Sequence, residues 1–273
     1  MHGISLDGSA PKKNTDDIVI ALAGNPNVGK STVFNALTGM NQHTGNWTGK
    51  TVATACGTFT RNGKKYITVD LPGTYSLFTH SVEEEVARDF ILSGKADACI
   101  TVCDATCLER NLNLVLQIIE ITPRTVVCIN LMDEARRKKI CVDIPALARE
   151  LGVPVVGTSA RSGKGLDKLI DAVDSLISKN PAPLEPVHYG SGIEEALQML
   201  APALDGISSH PRRDALRILS GESEAPEKAQ EAAKSADEVI DRYGLTQEMI
   251  RDKAAVAAVM RAEEIYKKCV TAD

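Results

Sequence analysis

Eight consecutive residues, Gly24-Asn25-Pro26-Asn27-Val28-Gly29-Lys30-Ser31, fit the pattern G-x-x-x-x-G-K-[S/T], whose chemistry is the cradling of a polyphosphate. Glycines let the backbone curl so that successive N–H groups face phosphate oxygens at the start of a helix. In that arrangement Lys30 neutralises the β- and γ-phosphates, the Ser31 hydroxyl ligates Mg²⁺, and Thr32 completes the candidate phosphate contacts. The setting agrees, with a strand-like apolar run at 18–23 before the loop and a helical pattern after it. Asp70-Leu71-Pro72-Gly73 closes a later apolar run as D-x-x-G. Asp70 is expected to hold Mg²⁺ through water, and the Gly73 amide to sense the γ-phosphate. A second protein ligand for Mg²⁺ is sought in the polar, glycine-bearing loop between Gly39 and Val52, where Thr51 is the best candidate and Thr44 and Thr48 compete with it. In the same loop His43 reads as a solvated histidine and Trp47 as a packing residue.

Base choice is written in two further segments. Asn130-Leu131-Met132-Asp133 follows an apolar run as N-x-x-D, and the Asp133 carboxylate can accept from both N1–H and the 2-amino group of guanine. Adenine lacks both donors and would leave a buried Asp133 unpaired, which costs more than a missing contact, so the expected ligands are GTP and GDP. Leu131 stands where a lysine often covers the base, which reduces stacking there. Thr158-Ser159-Ala160 ends the next apolar run, as a loop whose amides approach guanine O6 would. One expected part is absent. The position after the D-x-x-G glycine, where a water-orienting glutamine stands in Ras-like enzymes, is Thr74. Arg88 and Arg110 read as ordinary helix-surface charges rather than an arginine finger, Glu83-Glu84-Glu85 as acids favouring a helix N-terminus, and Arg136-Arg137-Lys138-Lys139 as a solvated face. Intrinsic turnover is therefore expected to be slow unless another group balances charge.

Apolar runs of strand length alternating with helical patterns predict a parallel sheet with crossover helices. The strands read as 18–23, 52–61, 64–71, 98–103, 125–130 and 153–158, with Arg61-Asn62-Gly63-Lys64 a hairpin turn. The expected fold class is α/β, a Ras-like P-loop GTPase with a mixed six-stranded sheet of five parallel strands and one reversed, followed by a small all-α domain. The predicted organisation is a lead-in over 1–16, a nucleotide domain over 17–180, a proline-marked linker over 181–189 and a helical domain over 190–270 with four helices and no strand.

Residues 181–273 carry 17 Asp and Glu against 11 Lys and Arg, a net of −6, and the whole chain is −5 with a pI near 5.6, which argues against nucleic acid as a partner. Seven cysteines form no C-x-x-C pair and read as free thiols in a reducing setting. No apolar run reaches the roughly 18 residues of a membrane-spanning helix, and the start is not a signal peptide, so the chain as given reads as soluble and cytoplasmic.

The segments GNPNVGKST, NQHTGNWTGKT, DLPGTYSL, VARDFILSGKAD, DATCLERNL and NLMD together resemble the N-terminal cytoplasmic part of FeoB ferrous-iron transporters, the GNW loop being the most specific. The resemblance is close over about 18–180 and looser over 190–270. It implies a GTPase that regulates or powers ferrous iron uptake by a C-terminal membrane domain, at the cytoplasmic face of the bacterial inner membrane, with a small cytosolic accessory protein as a further partner. It favours Thr51 as the Mg²⁺ ligand and adds a K⁺ site beside the phosphates, made by Asn27 with backbone carbonyls near Gly45 and Trp47. Lys50 and the pair His43-Thr44 depart from the family's pattern in that loop. A cytosolic GTPase of ribosome assembly or tRNA modification is the alternative function, since such enzymes share the same motifs.

Overall fold

A computed structural model describes residues 17–39, 42–46, 53–77, 81–178, 187–208 and 210–272. Strand β1 (Ile18–Gly24) is apolar on both faces and lies at the centre of the sheet. Helix α1 (Lys30–Thr38) follows the phosphate loop directly. Strands β2 (Gln42–Asn46), β3 (Ala53–Arg61) and β4 (Lys64–Asp70) form an antiparallel run, β3 and β4 meeting at the expected Asn62-Gly63 turn. Helix α2 (Val82–Leu92) opens on a capping box, in which Ser81 Oγ accepts from the Glu84 N–H and Glu84 reaches back to the Ser81 N–H. Glu83, Glu84 and Glu85 thus sit in the first turn, where the helix dipole favours acids.

The remaining crossover units are β5 (Ala98–Asp104), α3 (Leu108–Ile121), β6 (Thr125–Asn130), α4 (Met132–Arg137), β7 (Ile140–Val142), α5 (Ile144–Leu151), β8 (Val155–Gly157) and α6 (Leu166–Ser178). The main sheet has the order β2-β3-β4-β1-β5-β6-β8. All six expected strands are in it, with β3 reversed against its parallel neighbours. A seventh, β2, joins the edge through backbone pairs from Gln42↔Gly57 to Asn46↔Ala53. Its polar sequence carries no apolar alternation, so only pairing with the β3 edge reveals it. Cys99 and Cys128, wholly buried in the sheet, have thiols pushed up to about 12 by burial, which leaves them inert packing groups.

The second unit, Pro186–Arg261, holds α7 (Ser191–Leu200), α8 (Pro211–Leu219), α9 (Gln230–Arg242) and the first part of α10 (Gln247–Cys269) around a core of Ile193, Leu197, Leu200, Leu216 and Ile250. The four expected helices are present. The last turns of α10 behave differently from the sequence reading. Residues from Ala262 onward group with the nucleotide-domain unit, and Val270–Ala272 form a strand, β9, antiparallel to β7. Ala262, Ile265, Cys269 and Val270 bury into the core beside Leu147 and Leu151, and that apolar burial decides their allegiance.

Candidate functional site

The phosphate loop leaves β1 at Gly24 and enters α1 at Lys30, a strand–loop–helix setting that aims backbone N–H groups at one point. Asn27 (φ 66°) and Gly29 (φ 81°) both take left-handed conformations, which curl the chain. A side-chain carbon at Gly29 would lie 2.4 Å from Asn130 Nδ2, so glycine is required there on space as well as conformation. No side chain caps α1 and no acid stands in its first turn, which leaves its N-terminal amides and the positive end of its dipole open to an anion. Asn25 and Val28 are buried beneath the loop, while Asn27, Ser31 and Thr32 are exposed and Pro26 is half-buried.

Lys30 folds onto the D-x-x-G segment. Its Nζ donates to the Asp70 carboxylate and, at 2.6 Å, to the Leu71 carbonyl, with both side chains at most 15% exposed. Burial raises the Asp70 carboxyl above its ordinary value, and the neighbouring Lys30 charge only partly offsets this. Gly73 passes against Pro26, and the Thr74 N–H donates to the Gly24 carbonyl at 3.3 Å. The position lacking a glutamine is therefore buried and occupied in tying the two loops together. Just beyond it, the Arg110 guanidinium stacks 4.3 Å above the Tyr75 ring, and Arg88 lies 3.6 Å from Asp89. Arg110 is thus not simply a solvated charge.

Asn130 is the most connected residue of the site. Its Nδ2 donates to the Val28 carbonyl at 3.2 Å, while its Oδ1 accepts from Thr158 Oγ1 at 3.2 Å and from the Ala160 N–H at 3.1 Å. One fully buried amide joins the phosphate loop, the guanine loop and the loop at 158–160. Leu131, at φ 61°, turns the chain sharply so that α4 starts with Met132, whose N–H donates to the Thr158 carbonyl, and Asp133. The Asp133 N–H donates to Ser159 Oγ at 3.2 Å. The Asp133 side chain is about half exposed, not buried as expected. Desolvation raises its carboxyl, but the Ser159 hydroxyl, the N–H groups of Asp133 and Glu134 and the Arg137 charge together outweigh it and hold it below the ordinary carboxylate value. Arg137, in the run expected to be a solvated face, is exposed yet places its guanidinium 3.5 Å from Asp133. The sequence pattern missed this pairing, for which the four-residue spacing on a helix was the available signal.

Gly45 lies on β2 opposite Thr54, and Thr44 opposite Ala55. Trp47, Thr48, Lys50 and Thr51 fall outside the described residues. Among the described residues no cluster of three or more His, Cys, Asp or Glu could hold a metal ion, and no helix is long and apolar enough to cross a membrane.

The sequence profile of the family described as "Ferrous iron transport protein B" matches residues 18–173. A relative from Escherichia coli K12 called Fe(2+) transporter FeoB is 39% identical over 231 residues, covering 82% of this chain and 30% of that protein. The chain thus spans about a third of the length of the curated relatives it matches. Crystal structures of the cytosolic domain of the T. maritima FeoB iron transporter superpose with TM-scores of 0.80 (a GDP form, 34% identity) and 0.79 (the GMPPNP form, 34% identity), each covering 93% of this chain and 98% or more of the other.

Proposed function

The chain belongs to the ferrous iron transport protein B family, and from that premise we propose that it binds GTP and hydrolyses it to GDP and phosphate. The observation that carries this reading is the convergence of three loops on Asn130. Around that joint the N-terminus of α1 is uncapped, Lys30 pairs with Asp70, and Asp133 stands in the first turn of α4. In the proposed reaction the amides of 25–31 bind the polyphosphate, and Lys30 leaves Asp70 to pair with phosphate oxygens. Asp133 accepts from guanine N1–H and the 2-amino group, which favours GTP over ATP because adenine offers it neither donor. The Ala160 N–H would share itself between Asn130 and guanine O6. Gly73, held against Pro26, donates its N–H where a γ-phosphate oxygen would arrive.

Ser31 and Asp70 supply the hard oxygen donors that Mg²⁺ prefers, and they fit that ion, with Thr51 as the proposed third residue. Bound there, Mg²⁺ would neutralise charge on the phosphates. Asn27, exposed and turned left-handed within the phosphate loop, and the Gly45 carbonyl are oxygen donors suited to K⁺, with Trp47 contributing a carbonyl in the same proposal. A monovalent cation there would take the place of the missing arginine. In the full-length protein this GTPase is proposed to regulate or power ferrous iron uptake by an attached C-terminal membrane domain, at the cytoplasmic face of the bacterial inner membrane. A small cytosolic accessory protein is a proposed partner, and nucleic acid is not. The alternative role in ribosome assembly or tRNA modification is not favoured by the family match.

The test is phosphate release from GTP by this chain with Mg²⁺, in K⁺ and in Na⁺ at matched ionic strength. K⁺ is expected to accelerate turnover, and Asn27→Ala to remove the difference while GTP still binds. Equal native rates in the two salts would refute the cation site, and no turnover in either would refute the activity.

A further inference from the structure

Helix α3 buries two polar side chains, Asn111, which accepts from the Asp104 N–H, and Gln117. Gln117 is 4% exposed and sits among Leu114, Val115, Leu116, Ile118 and Ile119. Its Oε1 accepts from the Leu77 N–H at 2.7 Å and from Ser76 Oγ at 3.1 Å, while its Nε2 donates to Asn113 Oδ1 at 3.4 Å. Two turns earlier on the same helix face, Arg110 stacks on Tyr75. Three consecutive residues, Tyr75, Ser76 and Leu77, are therefore held by α3 immediately behind Gly73 and Thr74. From the other side the Thr74 N–H is tied to Gly24. The D-x-x-G turn is thus fixed at both ends.

We propose that Gln117 is a positioning residue for GTP hydrolysis: its carboxamide, oriented by Asn113, clamps Ser76 and Leu77 and so holds the Gly73 amide where a γ-phosphate is sensed. This rests on the reading of the chain as a GTPase. The physical reason is that the Leu77 N–H is buried, with its residue 2% exposed, and has Gln117 as its acceptor. Removing the acceptor leaves a donor without a partner, and the loop relieves this by moving, a penalty equivalent to about tenfold or more in an equilibrium constant. Contacts to GDP are expected from the phosphate and guanine loops, to which Gln117 itself makes no hydrogen bond among the described residues. The clamp is therefore expected to act on catalysis far more than on GDP binding.

The experiment measures kcat and KM for GTP, GDP affinity and thermal midpoint in the intact chain for the native protein, Gln117→Leu, Gln117→Glu and Arg110→Ala. In Gln117→Leu, kcat is expected to fall about tenfold with GDP affinity within about twofold of native. Gln117→Glu is expected to recover most of the loss, because its carboxylate offers the same acceptor and Asn113 can turn its amide to donate. Arg110→Ala, on an exposed side chain that folding does not depend on, is expected to lower kcat about two- to fivefold with GDP affinity unchanged, and it carries the test if Gln117→Leu does not fold. The inference is overturned by a kcat in Gln117→Leu within twofold of native. It is also overturned if kcat and GDP affinity fall by the same factor, or if Gln117→Glu performs no better than Gln117→Leu. If Gln117→Leu does not fold, an unaltered kcat in Arg110→Ala overturns it. A native chain without turnover would instead overturn the GTPase reading itself.

Discussion

Replacing Asn130 by alanine removes, in one step, the amide that joins three loops. The hydrogen bonds lost are those to the Val28 carbonyl, from Thr158 Oγ1 and from the Ala160 N–H, all between 3.1 and 3.2 Å and all buried. At a net of about 1 kcal/mol each they sum to about 3 kcal/mol, close to a hundredfold in an equilibrium constant. The partners fare differently. Thr158 Oγ1 keeps Cys128 Sγ at 3.2 Å, whereas the buried Ala160 N–H loses its acceptor, so the true cost is not below this sum. A domain stable by about 5–15 kcal/mol survives the loss, so the variant is expected to fold and to unfold at a lower urea midpoint with an unchanged slope. None of the three bonds involves a nucleotide phosphate. GDP and GTP affinities are therefore expected to fall together, by whatever part of the energy the relaxed loops must recover on binding, while guanine selectivity persists through Asp133. Urea unfolding of nucleotide-free protein and titration with GDP and GTP measure both quantities. An Asn130→Ala variant with native stability and native nucleotide affinity would refute the idea that this amide braces the site.

Asp133→Asn is expected to shift preference from guanine toward xanthine nucleotides, whose 2-oxo group needs a donor, and competition binding reads the change as weakened GDP and strengthened XDP binding. In the helical unit, burial raises the carboxyls of Glu194 and Asp214, but Arg212 and the Tyr189 N–H on the first, and Ser208 and Arg213 on the second, hold both below their ordinary values. A depressed folded-state pKa contributes stability that is present above the unfolded value, about 4, and lost as pH falls through the folded one. Thermal midpoints of the intact chain are therefore expected to fall between pH 6 and pH 3, and to fall less in Arg212→Ala. An identical pH dependence in that variant would contradict the assignment for Glu194.

The sequence alone determined the parts of this protein that are local. A phosphate cradle needs its glycines, Lys30 and Ser31 within one strand–loop–helix turn, and a guanine-reading carboxylate needs a strand end and a short helix, so both are written in consecutive residues. Six of the seven strands of the main sheet were legible, the central ones because burial on both faces demands unbroken apolar runs such as 98–103 and 125–130. What tertiary structure decided lies between residues far apart in the chain. Asn130 reaches Val28 across 102 positions, and Lys30 reaches Asp70 across 40. Gln117 finds Leu77 across 40. Strand β2 exists through backbone pairing to β3, which its polar side chains do not announce, and β9 exists because the end of α10 buries Ile265 and Cys269 in the core beside β7. A hydrogen bond or an apolar contact constrains position and chemistry but not residue spacing, so no pattern along the chain encodes which distant partner satisfies it.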